Sequence, residues 1–319
     1  EAIVKYGDFE NPSSLQEYSE HEVSNFVVQT LFTTVRNKEQ ATRLLKAIEK
    51  VITSGLALDP SKRRRGILWR TCELAAKFRV GQETLLKAVR IGFGAIQESA
   101  DDNAEVSENV EGTKKKKQRR KASALEVKDC IPLLIDLKKP KEEGGKAIFD
   151  AAGVRAVYHM LHFSPRLCED VLTGILESFS ESDLEIIARD GLGSRCILDG
   201  ILEGPSNAPV FATAFKTLFE KLQGRWVSLS LDRVGHHIVK KLFHALPKMD
   251  DKAKLVEELV AGGNRLNGNA MGRTIADECH VNVYRENRKE WRKVMTKPQI
   301  KQDKFLDDIV AHPQDVEEK

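Results

Sequence analysis

The chain has 319 residues, 41% of them apolar and 31% charged, so it can bury a core and is not disordered throughout. That length points to about two domains or to an elongated repeat array. Lys plus Arg number 51 against 48 Asp plus Glu, and a net of +3 is too weak to argue by itself for a nucleic-acid or membrane partner.

From the N-terminus, apolar periodicity near 3.6 predicts helices over about 20–34 and 37–53. The second puts Leu44, Leu45, Ile48, Val51 and Ile52 on one face. Helices at 64–79 and 82–97 follow. The composition then breaks: residues 98–111 carry six acids and no base, and residues 114–121 carry seven bases in eight positions. Such blocks repel and stay solvated, so 98–123 reads as a disordered charged insertion. Its basic half fits a nuclear localisation signal, with a merely solvated loop as the alternative. Further helices are predicted at 125–138, 146–162, 167–178, 191–203, 209–222, 232–245, 252–261, 270–283 and 285–296, and no alternating strand pattern appears. The expected fold is all-α with no β-sheet. The expected organisation is repeats over 1–97, the insertion at 98–123, repeats over 124–283, a basic C-terminal helix at 284–301 and an acidic tail at 302–319. In that C-terminal helix Tyr284 and Trp291, seven apart, are expected to share a face.

The five cysteines stand at least 28 residues apart with no Cys-x-x-Cys pair, which reads as free thiols in a reducing compartment. No run of 18 apolar residues exists, so no membrane partner is expected. There is no Gly-Lys-Ser/Thr phosphate loop and no Gly-x-Ser-x-Gly elbow, and His21-Glu22 is followed by Asn25 rather than a second His. His236 and His237 are adjacent and diverge on a helix, with no acid or Cys spaced to complete a metal site. No enzyme activity, cofactor or metal is expected.

A chain of many short helices calls for a repeat test. Asp190-Gly-Leu-Gly-Ser-Arg, Asp232-Arg-Val-Gly-His-His and Asn269-Ala-Met-Gly-Arg-Thr align on Gly193, Gly235 and Gly272, at spacings of 42 and 37. Gly153 lies 40 residues before Gly193 in the same register. Ser24 and Arg64, also 40 apart, begin segments that fit the frame without the glycine. A period near 40 predicts a helical solenoid.

The most informative segment is Asn25-Phe26-Val27-Val28-Gln29. On a helix Asn25 and Gln29 are four apart, so their amides point the same way, with Phe26 beside them and Val27 and Val28 expected in the core. Two amides can hydrogen-bond one base edge while a flat side chain stacks on its face, as in one-base-per-repeat reading of single-stranded RNA.

This pentapeptide resembles the RNA-reading helix of a pumilio (PUF) repeat, and Gly193-Ser194-Arg195 resembles the same helix in another repeat. Gly153-Val154-Arg155-Ala156-Val157-Tyr158, the charged insertion before it, Ser194-Arg195 leading into Ile201-Leu202, and the closing Asn269–Ile275 and Tyr284–Trp291 segments narrow the likeness. Over about residues 15–297 the chain is similar to the nucleolar protein nine family and its plant pumilio-homologue counterparts. The resemblance implies a pumilio-like solenoid, a superhelix, that binds single-stranded precursor rRNA in the nucleus and nucleolus during small-subunit maturation. It also implies a monomer with pre-ribosomal proteins as possible neighbours, and a chain matching the C-terminal part of longer family members.

Carried over by residue, Asn25, Phe26 and Gln29 match a uracil-type triplet. Ser194 and Arg195 match the edge and stacking positions, with Leu198 where a polar reader is usual. His236, His237 and Lys240 are expected to stack or touch phosphate. Arg65, Arg155 and Arg273 sit in frames that depart further, and Arg288 and Arg292 line the basic end. Sequence specificity is therefore expected to be relaxed, with much of the affinity from phosphate contacts. The alternative is a HEAT- or armadillo-type scaffold for protein–protein interaction, which shares the period but leaves the two matching motifs at one register unexplained.

Overall fold

The computed structural model describes residues 12–106, 125–139, 147–205 and 208–296. Among these residues there is no strand, only an isolated antiparallel bridge between Lys138 and Ile148. Six repeats follow one another, each with a short first helix, a second helix, here called the reading helix, and an outer helix.

Repeat 1 is α1 (Pro12–Glu20), α2 (Ser24–Thr34) and α3 (Lys38–Thr53). Repeat 2 is a 3-10 turn (Pro60–Lys62), α4 (Arg65–Phe78) and α5 (Gln82–Val106). Repeat 3 is α6 (Val127–Ile135), α7 (Ala151–Met160) and α8 (Pro165–Ser178). Repeat 4 is α9 (Glu181–Arg189), α10 and α11 (Pro209–Leu222), where α10 joins Gly191–Gly193, Ser194–Leu198 and Asp199–Leu202. Repeat 5 is α12 (Trp226–Ser230), α13 (Gly235–Ala245) and α14 (Met249–Asn267). Repeat 6 starts in the last turn of α14, beyond a kink at Gly263, and continues with α15 (Ala270–Glu278), α16 (Val281–Glu286) and a helical stretch at 288–296.

The chain divides into two compact units, residues 1–221 and 222–319. In the first, the reading helices α2, α4, α7 and α10 pack side by side in chain order, α3 packs on α5, and α6 packs on α8. Its core includes Val28, Ile48, Ile67, Leu68, Ile131, Val154, Val157 and Ile175. In the second, α13 packs on α15 and α12 on α14, around Trp226, Leu229, Ile238, Leu242, Phe243 and Trp291.

The residues three before each register glycine start the reading helices for a common reason. Asp150, Asp190, Asp232 and Asn269 each accept a backbone hydrogen bond from the glycine three residues on, at 2.6–3.1 Å. Acids and amides at this position satisfy N–H groups that the helix leaves without partners. His21 does the same with its ring Nδ1, which accepts from Val23 and Ser24 N–H at 3.2 Å. The glycine then allows close approach: a Cβ on Gly153, Gly193, Gly235 or Gly272 would press on the carbonyl of Leu134, Ile187, Leu229 or Leu266, each near the end of the preceding first helix.

Three expectations need correction. Residues 98–106, assigned to the insertion, continue α5 as helix to Val106; residues 107–124, including the basic block, lie outside the described residues. The expected basic helix at 284–301 is broken at Asn287, whose extended backbone (φ −153°, ψ 102°) ends α16 and whose Oδ1 caps the next stretch by accepting from Lys289 and Glu290 N–H. Tyr284 and Trp291 still meet edge to face at 5.0 Å, across the break rather than along one helix face. The Trp291 indole N–H donates to the Cys279 carbonyl at 2.9 Å. Residues 297–319, with the acidic tail, lie outside the described residues.

Short helices escaped the periodicity reading. α1, α9 and α12 span only 9, 9 and 5 residues, too short to display more than one or two apolar turns.

Candidate nucleic-acid interface

Counting from Ser24, Arg64, Gly153, Gly193, Gly235 and Gly272 as position zero, burial falls into a repeating pattern on the reading helices. Position one points inward: Asn25, Arg65, Val154, Ser194 and His236 are buried, and only Arg273 is exposed. Positions three and four supply core pairs such as Ile67-Leu68, Ala156-Val157, Ile238-Val239 and Ile275-Ala276. Positions two and five reach the surface, with Phe26, Arg155, Arg195, His237 and Thr274 at two, and Gln29, Trp69, Tyr158, Lys240 and Asp277 at five.

This pattern corrects the first-position readers. Asn25 is completely buried, and its amide donates to the Glu22 carbonyl at 2.6 Å and the His21 carbonyl at 3.2 Å. Its Oδ1 accepts from the Gln29 amide at 2.9 Å, so the two amides bond to each other instead of standing as a free pair. Gln29 also lies against Gly66, where a Cβ would overlap its amide. Ser194 is buried too. His236 is buried with Nδ1 bonded to the Asp232 carbonyl at 3.0 Å, and its ring lies tilted by 37° against His237 with centres 3.9 Å apart.

Arg65, expected as a phosphate contact, is 4% exposed. It donates to the carbonyls of Leu58 at 2.7 Å, Leu133 at 3.1 Å and Leu134 at 3.2 Å, and pairs with Asp150 at 3.5 Å. Leu133 and Leu134 are among the last carbonyls of α6, which no residue of that helix can satisfy. The neighbouring Arg64 serves α1 likewise, donating to Ser19 and Glu20 carbonyls at 3.1 and 3.0 Å. Two consecutive arginines at the start of α4 thus tie repeat 2 to the repeats on either side of it.

Phe26 is 62% exposed, and Val27, expected in the core, is 45% exposed. The reason is positional: α2 has α4 on one flank and no described reading helix on the other. Arg195 is exposed. Arg155 lies with its guanidinium 4.7 Å from the Trp69 ring centre, and Arg70 lies at 4.0 Å from the same ring. The buried Trp69 indole N–H makes no hydrogen bond. Tyr158 carries the surface onward, its ring 4.5 Å from His162. Trp69 and Tyr158 were not singled out from the sequence, although both stand at the frame position of Gln29.

In the second unit, Lys240 and His244 both reach Glu278, at 3.1 and 2.7 Å. Those hydrogen bonds, His244's first, hold the Glu278 carboxyl below its ordinary pKa. Arg273 is exposed and donates to the Asn267 carbonyl at 2.9 Å. Arg288 and Arg292, expected to line an RNA-contacting end, are paired with the outer helix α14, through Glu257 at 3.0 Å and Asp250 at 2.7 Å. The acids paired with them lie 31 and 42 residues back, beyond the reach of a local charge count.

His159, next to Tyr158, is held neutral: burial pushes its pKa down from 6.5 to about 4, and His162 and Arg70 push the same way against Glu73. As pH falls, the unfolded chain therefore takes up this proton first, and stability is lost between about pH 6.5 and 4. The expected loss is about 1–3 kcal/mol after solvent screening. Denaturant unfolding across that range, compared with His159→Gln, checks it; equal pH dependence in the two proteins contradicts it.

Among the described residues no three His, Cys, Asp or Glu side chains converge in a way that could hold a metal, and no helix is long and apolar enough to cross a membrane.

A family model for the NOP9-like PUF repeat domain matches residues 11–274. Nucleolar protein 9 of Schizosaccharomyces pombe is 26% identical over 176 residues, covering 52% of this chain and 26% of that protein. Nucleolar protein 9 of Trichophyton verrucosum is 29% identical over 124 residues, 37% of this chain and 17% of that protein. The matched stretches are thus about a quarter or less of either relative's length. Among solved structures, that of APUM23-GGAAUUGACGG superimposes with a TM-score of 0.65 at 17% identity, covering 88% of this chain and 47% of that chain, a likeness of fold. These findings replace the HEAT- or armadillo-type alternative with a pumilio-type repeat fold. With six repeats at one register among the described residues, five of their reading helices capped by a side chain, and a family model spanning most of them, the chain belongs to the NOP9-like PUF repeat domain family.

Proposed function

We propose that this chain binds single-stranded precursor rRNA of the small ribosomal subunit in the nucleolus, and protects or positions it during 18S rRNA maturation. It acts by binding alone, without catalysis, as a monomer that can share the pre-ribosome with protein neighbours. The observation that carries the reading is the outward row at positions two and five of the reading helices. In the first unit Phe26, Trp69 and Tyr158 offer flat faces and Arg155 and Arg195 cationic ones; in the second unit, taken by itself, His237 offers a ring and Lys240 a cation at the same positions. Stacking platforms interleaved with bases suit an unpaired strand, whose bases are free to stack and whose phosphates attract the cations. The names of the relatives direct the reading to the nucleolus, and the RNA in the APUM23 structure supplies a probe.

Fluorescence anisotropy with single-stranded GGAAUUGACGG, and with the same sequence in a duplex, tests the proposal. The single strand is expected to bind more tightly, with affinity falling as salt rises. Trp69→Ala with Arg155→Ala is expected to weaken single-strand binding by about 1–3 kcal/mol, the worth of one stacked base. Equal affinity for strand and duplex, or no effect of the double variant, contradicts base stacking on this row.

A further inference from the structure

On the outer helices of the first two repeats, Lys46 and Lys50 on α3 and Lys87 and Arg90 on α5 are exposed. Among the described residues none of these four forms an ion pair or a side-chain hydrogen bond. Neighbouring acids in the sequence do not compensate them: Glu39 lies 4.0 Å from Arg43, Glu83 pairs with Arg166 at 3.0 Å, and Glu49 is half-buried without an ion pair. On the other outer helices of this unit the bases are matched. Arg166 has Glu83, Lys216 has Glu220 at 3.7 Å, and Lys221 donates to the Phe179 carbonyl at 2.9 Å.

Packing brings the four together. α3 and α5 run side by side in the same direction: a Cβ on Gly81 would touch Leu45, and one on Gly92 would overlap the Ile52 carbonyl oxygen. Lys50 and Arg90 each stand two residues before that second contact, so they lie level, and Lys46 and Lys87 stand about one turn further back. The buried face of α3 carries Leu44, Leu45, Ile48, Val51 and Ile52. The bases therefore form a strip on the opposite face, on helices other than those that carry the reading row. Like charges one turn apart repel, and nothing among the described residues offsets this.

We infer that this strip is a second RNA site, which holds the phosphate backbone of a strand that runs on beyond the reading row; the inference rests on the RNA binding proposed above. Exposed beside the four bases are Thr42, Thr84 and Ile91. No ring among them can stack on a base, so contact is confined to the backbone. Bases three or four residues apart on a helix are about 5–6 Å apart along its axis, near the interval between successive phosphates of an unpaired strand. An acidic peptide carries the same sign of charge, but it needs apolar anchors to offset the cost of ordering it, and among the described residues the strip offers it Ile91 alone. Such a site is blind to sequence. It lengthens the bound stretch and adds affinity through released counterions.

Fluorescence anisotropy with GGAAUUGACGG alone, and with the same strand carrying oligouridine tails, tests this on the wild-type chain and on Lys46→Gln/Lys50→Gln/Lys87→Gln/Arg90→Gln. The tails are expected to tighten wild-type binding roughly tenfold or more. The quadruple variant is expected to lose that gain. Its slope of log affinity against log salt for the tailed strand is expected to fall by about 3, at about 0.7 for each lost phosphate contact. Its affinity for the untailed strand is expected to stay near wild type, because a helix about 10 Å across separates the strip from the row and screening limits a charge to about 8 Å at physiological salt. Arg166→Gln with Lys216→Gln, which removes bases already paired, is expected to keep the gain. No gain in the wild type, a gain that survives in the quadruple variant, or one lost equally in the paired-base control overturns the strip as a site. Polyglutamate that displaces the tailed strand from the strip better than oligouridine of equal charge overturns it too, in favour of an acidic protein partner. If the untailed strand does not bind but oligouridine binds and the quadruple variant loses it, base stacking on the row falls and the strip stands.

Discussion

Arg65→Met is expected to destabilise the first unit by about 3–5 kcal/mol, the range found when one partner of a buried ion pair is removed. Met keeps the apolar stem and loses every donor. The carbonyls of Leu58, Leu133 and Leu134 would then lie without their partner, and Asp150 would lose its cation. An orphaned buried acceptor costs about 1–3 kcal/mol, so relaxation must recover part of the loss for the total to stay in this range. Burial lowers the Arg65 pKa, with Asp150 opposing; the group is nonetheless a cation at any working pH. Arg65→Lys is expected to recover less than half of the loss, because one ammonium cannot fork to three carbonyls on two segments. Thermal unfolding followed by circular dichroism reads the effect, and a Met variant within 1 kcal/mol of wild type would remove Arg65 from its structural role.

Gly153→Ala is expected to cost about 2 kcal/mol net. At an open helical position the same change stabilises by about 0.5–1 kcal/mol, since alanine is the better helix former. Here the new methyl group would overlap the Leu134 carbonyl oxygen, a backbone atom that cannot swing aside. α6 and α7 would have to separate. Gly94 is the internal control: it lies within α5 with nothing within 4 Å of an added Cβ, and Gly94→Ala is expected to be neutral or stabilising. Denaturant midpoints of the two variants should shift in opposite directions, and parallel shifts would contradict the steric account.

These two sites form one node. Arg65 holds the Leu134 carbonyl and Asp150, the Asp150 carboxylate caps Gly153, and Gly153 lies on the Leu134 carbonyl. Residues sharing partners do not add, so Arg65→Met with Gly153→Ala is expected to lose less than the sum of the single changes.

The positions of the long helices, the register near 40 residues and the start of each reading helix were legible in the sequence. Periodicity and capping are local: Asp232, Asn269 and the glycines three residues on act within one turn, so their chemistry can be read from neighbours alone. The cationic and aromatic candidates at positions two and five, from Phe26 to His237 and Lys240, were legible for the same reason. Trp69 was in view but was passed over because no charge or amide marked it.

The misread residues depend on what lies across space. Arg65 looked like any surface base in a basic run, and its role is set by carbonyls 68 and 69 residues away. Arg288 and Arg292, expected at an RNA-contacting end, are laid by the fold beside Glu257 and Asp250, pairings that no local charge count shows. Asn25 looked like a reader because its helical angle was right; burial at the start of α2 turned its amide to the backbone. The charged segments on either side of the chain's middle and end followed the composition only in part, since α5 runs on to Val106 and Asn287 interrupts the C-terminal stretch.

By itself the sequence determined that this is an all-α repeat chain, because apolar spacing and register glycines are written within a few residues of one another; the pumilio likeness rested on the short motifs at Asn25–Gln29 and Gly193–Arg195. Tertiary structure alone decided which side chain at each register reaches the surface. In the fourth repeat one π-helical turn put the core pair at Ile197 and Leu198, and the packing made Arg65 a staple between repeats. The physical reason is that a helical angle is fixed by the local backbone, whereas exposure and partners are fixed by the helices packed against it, dozens of residues away in the chain.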